Sequence, residues 1–259
     1  MIYFKYIKMV INIILEYRMS FWLITIAQFI TAFLSLIGLA FLFDRFGDVQ
    51  GWSFAEVALC FGVVYTAFSI TTCVSRGFDM FSQFIISGHF DTILLRPRGT
   101  VLQVMGAGFE ITRLGGLAQG LLVLGFAVAT VDVVWSADKI ATLVFMIISG
   151  FFIFTGIYIL GAVVSFFTVQ GLEFINIFTN GGQELASYPL TIYPKSVVRA
   201  FTFVIPFGCM NYLPLMYITG RTENSSLLYM LSPLMGILFI VPCLLLWRIG
   251  VRYYTSTGS

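Results

Sequence analysis

Residues 140–172 read IATLVFMIISGFFIFTGIYILGAVVSFFTVQGL, 33 residues without one charged side chain. Roughly 20 apolar residues in a helix cross a ~30 Å hydrocarbon core, so this stretch spans a bilayer with turns to spare. A transmembrane strand would alternate polar and apolar positions over about 10 residues, and neither 143–148 nor 244–247 alternates. The stretch therefore reads as a membrane-crossing helix.

Five further charge-free blocks flank it, at residues 19–43, 57–75, 114–131, 200–220 and 224–247. The composition of the 259 residues agrees: 59% are hydrophobic, 17% aromatic and 10% charged. An average soluble domain is about 25% charged. Twenty-six charged side chains (14 basic, 12 acidic) cannot cover a water-soluble globule of this length, which excludes ordinary soluble enzymes. Disorder requires the opposite composition. A net charge of +2 with scattered bases excludes a nucleic-acid surface. The fold class is an all-α integral membrane protein, a single transmembrane domain over 1–259. Six transmembrane helices are expected, five of them at about 19–43, 54–75, 104–131, 140–168 and 225–247, with the other between the last two.

The first block is too long for the apolar core of a cleavable signal peptide and lacks a small-residue cleavage site. Before it, Lys5, Lys8, Asn12 and Glu16 recur at helical steps opposite Phe4, Ile7, Ile11, Ile14 and Leu15. That pattern predicts an amphipathic helix at 3–18 lying in the membrane interface. With six spans, Lys5, Lys8, Arg18, Arg76, Arg96, Arg98, Arg248 and Arg252 fall on one side, the cytoplasmic one by the bias of positive charge. Both termini are then cytoplasmic, and loops 44–53 and 132–139 face outward.

Cys60, Cys73, Cys209 and Cys243 stand singly in apolar segments and read as packing residues. His89 is the only histidine, so no histidine metal cluster or Ser-His triad is expected. Residues 224–226 fit a glycosylation sequon. No lysine follows a glycine, so the chain has no phosphate-binding P-loop, and an energy source must come from a gradient or another subunit. No catalytic residue and no metal site are expected in this chain.

The longest extramembrane stretch, residues 76–103, carries Phe78, Phe81, Phe84 and Ile85 at helical spacing, so the second span should continue past the membrane surface. Gly88 should break it, and a short helix should start near His89 and stop at Pro97. Asp91 in its first turn and Arg96 in its last have the signs that the helix dipole favours.

The run Gly88-His89-Phe90-Asp91-Thr92-Ile93-Leu94-Leu95-Arg96-Pro97, followed by Gln103, resembles the G-x-x-D-x-x-L-x-R-P signature of ABC-2-type exporter permeases. The likeness is closest to six-span permeases of bacterial drug- or peptide-export systems. Residues 188–194, 203–207 and 211–214, rich in Tyr and Pro, are similar to the family's segment ahead of the last span. Arg98-Gly99 departs from the apolar residue that many relatives carry after the proline.

The resemblance implies the transmembrane subunit of an ATP-driven exporter in the bacterial plasma membrane. It implies partnership with a second permease, identical or homologous, and with two ATP-binding cassette subunits that hold the ATP and Mg. Residues 88–97 would be the coupling helix, through Gly88, Asp91, Leu94, Leu95, Arg96 and Pro97. Segment 3–18 would be the interfacial connecting helix among the membrane lipids. The rival function is a gradient-driven secondary transporter, which usually shows internal repeats; no repeat relates the two halves here. An intramembrane enzyme would need convergent titratable groups.

The fifth span has two readings. Hydropathy places it at 200–220, with 11 bases inside and 3 outside. The resemblance places it at 170–188 and makes 195–221 a re-entrant pair on the outer face, with 9 inside and 5 outside. Pro189, Pro194, Pro206 and Pro214 break the region into short pieces, which suits the second reading. Glu173, Asn176, Asn180 and Glu184 recur at steps of three, four and four and form one polar stripe. At membrane depth such a stripe must face the bundle interior, a partner or water, making it a candidate wall of a substrate path or dimer interface. The alternative is an amphipathic helix on the membrane surface. Glu110 and Arg113 are spaced to pair on a helix, and Glu56 is expected to reach water.

Overall fold

The computed structural model describes residues 12, 16, 18–168, 172–221 and 226–256. The expected interfacial helix at 3–18 falls almost entirely outside these residues, and so does most of the 224–226 sequon. The helices are α1 (Arg18–Phe46), α2 (Phe54–Asp79), α3 (Phe81–Ile86), α4 (His89–Leu94), α5 (Thr100–Ala107), α6 (Leu114–Thr130), α7 (Ala137–Ser165), α8 (Leu172–Ala186), α9 (Lys195–Phe203), α10 (Leu213–Ile218), α11 (Ser226–Leu231) and α12 (Pro233–Tyr253). No strand occurs among the described residues. The chain is an all-α integral membrane protein.

Apolar helices in lipid gain nothing from hiding apolar side chains from one another, so close backbone approach decides their packing. α2 is the central helix, with α6 and α7 against it; α12 packs on α7, and α1 leans on α6 at the edge. A Cβ built on Gly120 of α6 would lie 2.9 Å from the Thr66 backbone nitrogen of α2, so only glycine permits this crossing. The membrane-length window of α2 is 83% buried and that of α1 is 12% buried. α1 thus exposes nearly its whole girth to lipid or a partner.

Among the described residues, five helical segments are long and apolar enough to cross a membrane: Arg18–Arg45, Phe54–Ile86, Ile111–Thr130, Ala137–Ser165 and Leu227–Tyr253. The helical stretch expected over 104–131 is interrupted. α5 ends at Ala107, a 3-10 turn covers Ile111–Arg113, and α6 begins only at Leu114. The break has a steric cause: Gly108 crosses α2 so closely that a Cβ there would sit 2.2 Å from the Gly77 Cα. The freed Glu110 N–H donates to the Cys73 carbonyl at 3.0 Å.

Between α8 and α11 the chain forms a hairpin. α9 and the segment Gly208–Ile218 meet at 87° across Pro206, so residues 200–220 are not one straight helix. Pro206 has no N–H to continue the ladder, and a single π turn, Gly208–Tyr212, leads into α10. Both ends of the hairpin are tied to the same loop. Before it, Thr191 Oγ1 accepts a 2.9 Å bond from Trp52 Nε1. After it, Arg221 donates at 2.8 Å to the Gly51 carbonyl and to both Glu56 oxygens. The tip lies deep: Phe207 packs 5.3 Å from Phe154, which is 17 residues into α7, ~25 Å along it at 1.5 Å per residue.

The Trp52 end of the bundle is therefore a clasp. Glu56 caps α2 reciprocally with Ser53, and the Arg221 guanidinium lies 4.2 Å from the Trp52 ring centre. Tyr217 Oη donates to Asp138 at the start of α7. Glu56, expected in water, is buried, because the clasp closes over it.

Candidate functional site: a polar cleft and an exposed helical loop

Three helices and the turn before α6 place polar side chains around one cleft of about 300 Å³. α1 contributes Gln28, Thr31 and Ser35; α2 contributes Tyr65, Ser69 and Thr72; the start of α6 brings Gly116, with Arg113 just before it; and α8 supplies Asn180, Gln183 and Glu184. Tyr65 lies 11 residues into α2, or ~16 Å from the Trp52 end, about halfway across a bilayer core. Its hydroxyl donates to Glu184 Oε1 at 2.9 Å. Tyr65 is buried and stacks on Phe61 with ring centres 4.0 Å apart, whereas Asn180 and Glu184 are exposed, so the cleft opens along α8.

A chain of charges lies at the opposite end of the cleft. Asp79 pairs with Arg76 at 3.0 Å, Arg76 with Glu110 at 3.3 Å, and Glu110 with Arg113 at 3.4 Å. Arg113 Nη1 then donates to Gln28 Oε1 at 3.2 Å. The chain joins α2, the broken start of the third crossing and α1. Two bases and two acids cancel, so Arg113 adds little net charge to the cleft.

Beyond the charges, α3 and α4 fold back under the bundle. Gly88 (φ +66°) allows the sharp turn between them. Phe90 and Ile93 of α4 are buried, and Phe90 joins Phe78, Phe81 and Phe166 around Trp247, whose ring centres lie 4.9–6.1 Å from it. Trp247 Nε1 donates to Thr100 Oγ1 at 3.0 Å, and Gln103 Nε2 donates to the Ile93 and Arg98 carbonyls at the end of α4. α4 is thereby fixed to α2, α7 and α12. α4 ends at Leu94, three residues before Pro97, so Arg96 lies in the turn after the helix and not in its last turn; His89, Thr92 and Leu94 of α4 and Leu95, Arg96, Pro97 and Arg98 after it are all exposed. Leu95 is 85% exposed, an apolar side chain held out beside two arginines.

The family model for ABC-2 family transporter proteins matches residues 29–258. The chain belongs to the ABC-2 transporter family. No curated protein and no solved structure matches it. This ABC-2 protein is a multi-pass membrane protein and the transmembrane subunit of an ABC transporter, of the kind that works with ATP-binding cassette subunits.

The residues expected to act at the coupling helix do not all stand alike in the ABC-2 chain. Leu94, Leu95, Arg96 and Pro97 are all exposed, and Gly88 makes the turn before the helix. Asp91 is partly buried, and its Oδ2 accepts a 2.8 Å bond from Ser256 Oγ, so it holds the segment after α12 onto α4. Burial, then the Asp91 carboxylate, raises the Tyr254 phenol above its usual range in the same segment.

Of the polar stripe, Asn180 and Glu184 line the cleft, and Asn176 is exposed on the same face one turn away. Glu173 lies in α8, but its side chain is outside the described residues. The sequence reading missed Gln28, Thr31, Ser35, Tyr65, Ser69, Thr72 and Gln183. The available signal was the spacing of Gln28, Thr31 and Ser35, three and four apart within a charge-free block.

Proposed function

We propose that this subunit is the substrate-translocating half of an ATP-driven exporter in the bacterial plasma membrane. The observation that carries the proposal is the joint presence of a polar cleft near mid-membrane and a rigidly mounted helix with an exposed apolar tip. Two such permeases, identical or related, face each other along α1 and α8, and the second closes the open side of the cleft. Two ATP-binding cassette subunits hold the ATP and Mg and receive α4, with Leu94, Leu95, Arg96 and Pro97 as contacts and Gly88 and Asp91 setting its pose. The Trp247 end is cytoplasmic. α8 is the fifth crossing: it is 15 residues long, ~22 Å at 1.5 Å per residue, and irregular backbone completes the passage. The hairpin is re-entrant from outside, since both its ends are tied to Gly51 and Trp52 in the loop before α2.

Closure of the ATP-binding subunits would move α4. Phe90 and Trp247 would carry that motion to α2 and α12 as a rigid body, and the Arg76–Glu110–Arg113–Gln28 chain would carry it to α1. Co-expression with the ATP-binding subunit tests the proposal. Leu95→Asp and Arg96→Glu are expected to abolish co-purification and permease-stimulated ATP turnover while the permease remains monodisperse. Retention of both activities would refute the docking role.

A further inference from the structure

The cleft has an unbalanced charge. Among its described lining residues, Arg113 and Glu184 are the charged side chains. Arg113 is matched by Glu110 within a chain of two bases and two acids. Glu184 meets the Tyr65 hydroxyl, and no ion pair to a base holds it among the described residues. Tyr65 and Phe68 line the same cleft. A carboxylate near mid-membrane with a tyrosine hydroxyl on it and no basic partner suits a cation, which supplies the missing charge. Asn180 and Gln183 add hydrogen-bonding groups along the same helix. The open side is flanked by Ile177, 62% exposed, next to the polar stripe on α8.

We infer that the cleft takes an amphipathic cation, its ammonium or guanidinium head at Glu184 and its apolar body along the open face of α8. The volume of about 300 Å³ is at the lower end of small-molecule pockets, so the head and one ring fit while a longer apolar tail stays outside. The inference rests on the cleft being the substrate site of the proposed exporter.

The test is equilibrium dialysis of radiolabelled benzyltriethylammonium, with benzylsulfonate as the anionic counterpart, against the full-length permease alone in nanodiscs. The cation should bind saturably and the anion should not. Glu184→Gln should weaken cation binding about tenfold, ~1.4 kcal/mol, and Glu184→Asp should preserve the preference for cation over anion. Equal binding of cation and anion, or unchanged affinity in monodisperse Glu184→Gln, overturns the inference. ATP turnover of the complex with Leu95→Asp is read separately. Cation binding lost with coupling intact sinks only this inference, and coupling unaffected by Leu95→Asp sinks the exporter reading while leaving the binding result standing.

Discussion

Replacing Arg221 by alanine should open the clasp at the Trp52 end, and the geometry sets the size of the effect. Arg221 donates at 2.8 Å to both Glu56 oxygens and to the Gly51 carbonyl, and its guanidinium lies 4.2 Å from the Trp52 ring centre. The Arg221 side chain is 36% exposed and that of Glu56 10%. Exposed ion pairs are worth about 0.2–1 kcal/mol, whereas removing one partner of a buried pair costs about 3–5 kcal/mol. Glu56 keeps its bonds from the Ser53 N–H at 2.8 Å and hydroxyl at 3.1 Å, so it would not be left wholly unsatisfied. With the lost cation–π contact included, the expected loss is about 2 kcal/mol. For a chain of this size that lowers Tm by about 4–8 °C. The assay is thermal unfolding in nanodiscs at fixed scan rate, followed by tryptophan fluorescence. Arg221→Lys should lose about half as much, because an ammonium cannot serve the carboxylate, the carbonyl and the ring together. In a Glu56→Gln background the further cost of Arg221→Ala should shrink by at least ~1 kcal/mol. A Tm shift below about 1 °C, or strict additivity of the two changes, would refute the reasoning.

Three other outcomes are expected. Gly120→Val should destabilise by about 1–3 kcal/mol, read as a fall in the same unfolding midpoint, because its Cβ meets the Thr66 backbone at 2.9 Å. Trp247→Ala should cost about 3–5 kcal/mol and uncouple ATP turnover from transport, since it empties the aromatic cage behind α4; turnover and transport measured together in proteoliposomes would show whether they separate. A cysteine at Arg199 should react with an impermeant maleimide from outside intact cells, whereas labelling confined to inverted vesicles would mean that the hairpin is not re-entrant from that side.

The fold was legible wherever a helix is uniformly apolar. Charge-free blocks located α1, α2, α6, α7 and α12, because a bilayer demands length and apolarity and little else. The break before α6 was not legible, since it depends on Gly108 meeting Gly77 on a helix about thirty residues earlier, a long-range contact with no local pattern. The clasp was hidden for the same reason: Glu56 and Arg221 are 165 residues apart. Asn180 and Glu184 were readable from their helical spacing, whereas their partners on α1 and α2 are single Gln, Thr, Ser and Tyr residues that look ordinary in an apolar helix. The start of α4 could be read from Gly88, whereas its end comes at Leu94, before Pro97, and the bond that holds Asp91 could not be read, because its partner Ser256 arrives from the far end of α12.

The central proposal, that closure of the ATP-binding subunits is carried through α4 to the cleft, is tested most directly by thiol labelling of Asn180→Cys in the reconstituted complex with its ATP-binding subunits. The four native cysteines are buried, so the unsubstituted protein gives the background. The reagent should reach the new cysteine from the Trp247 side without nucleotide and from the Trp52 side with nucleotide trapped. Labelling from one side alone in both states would contradict the account.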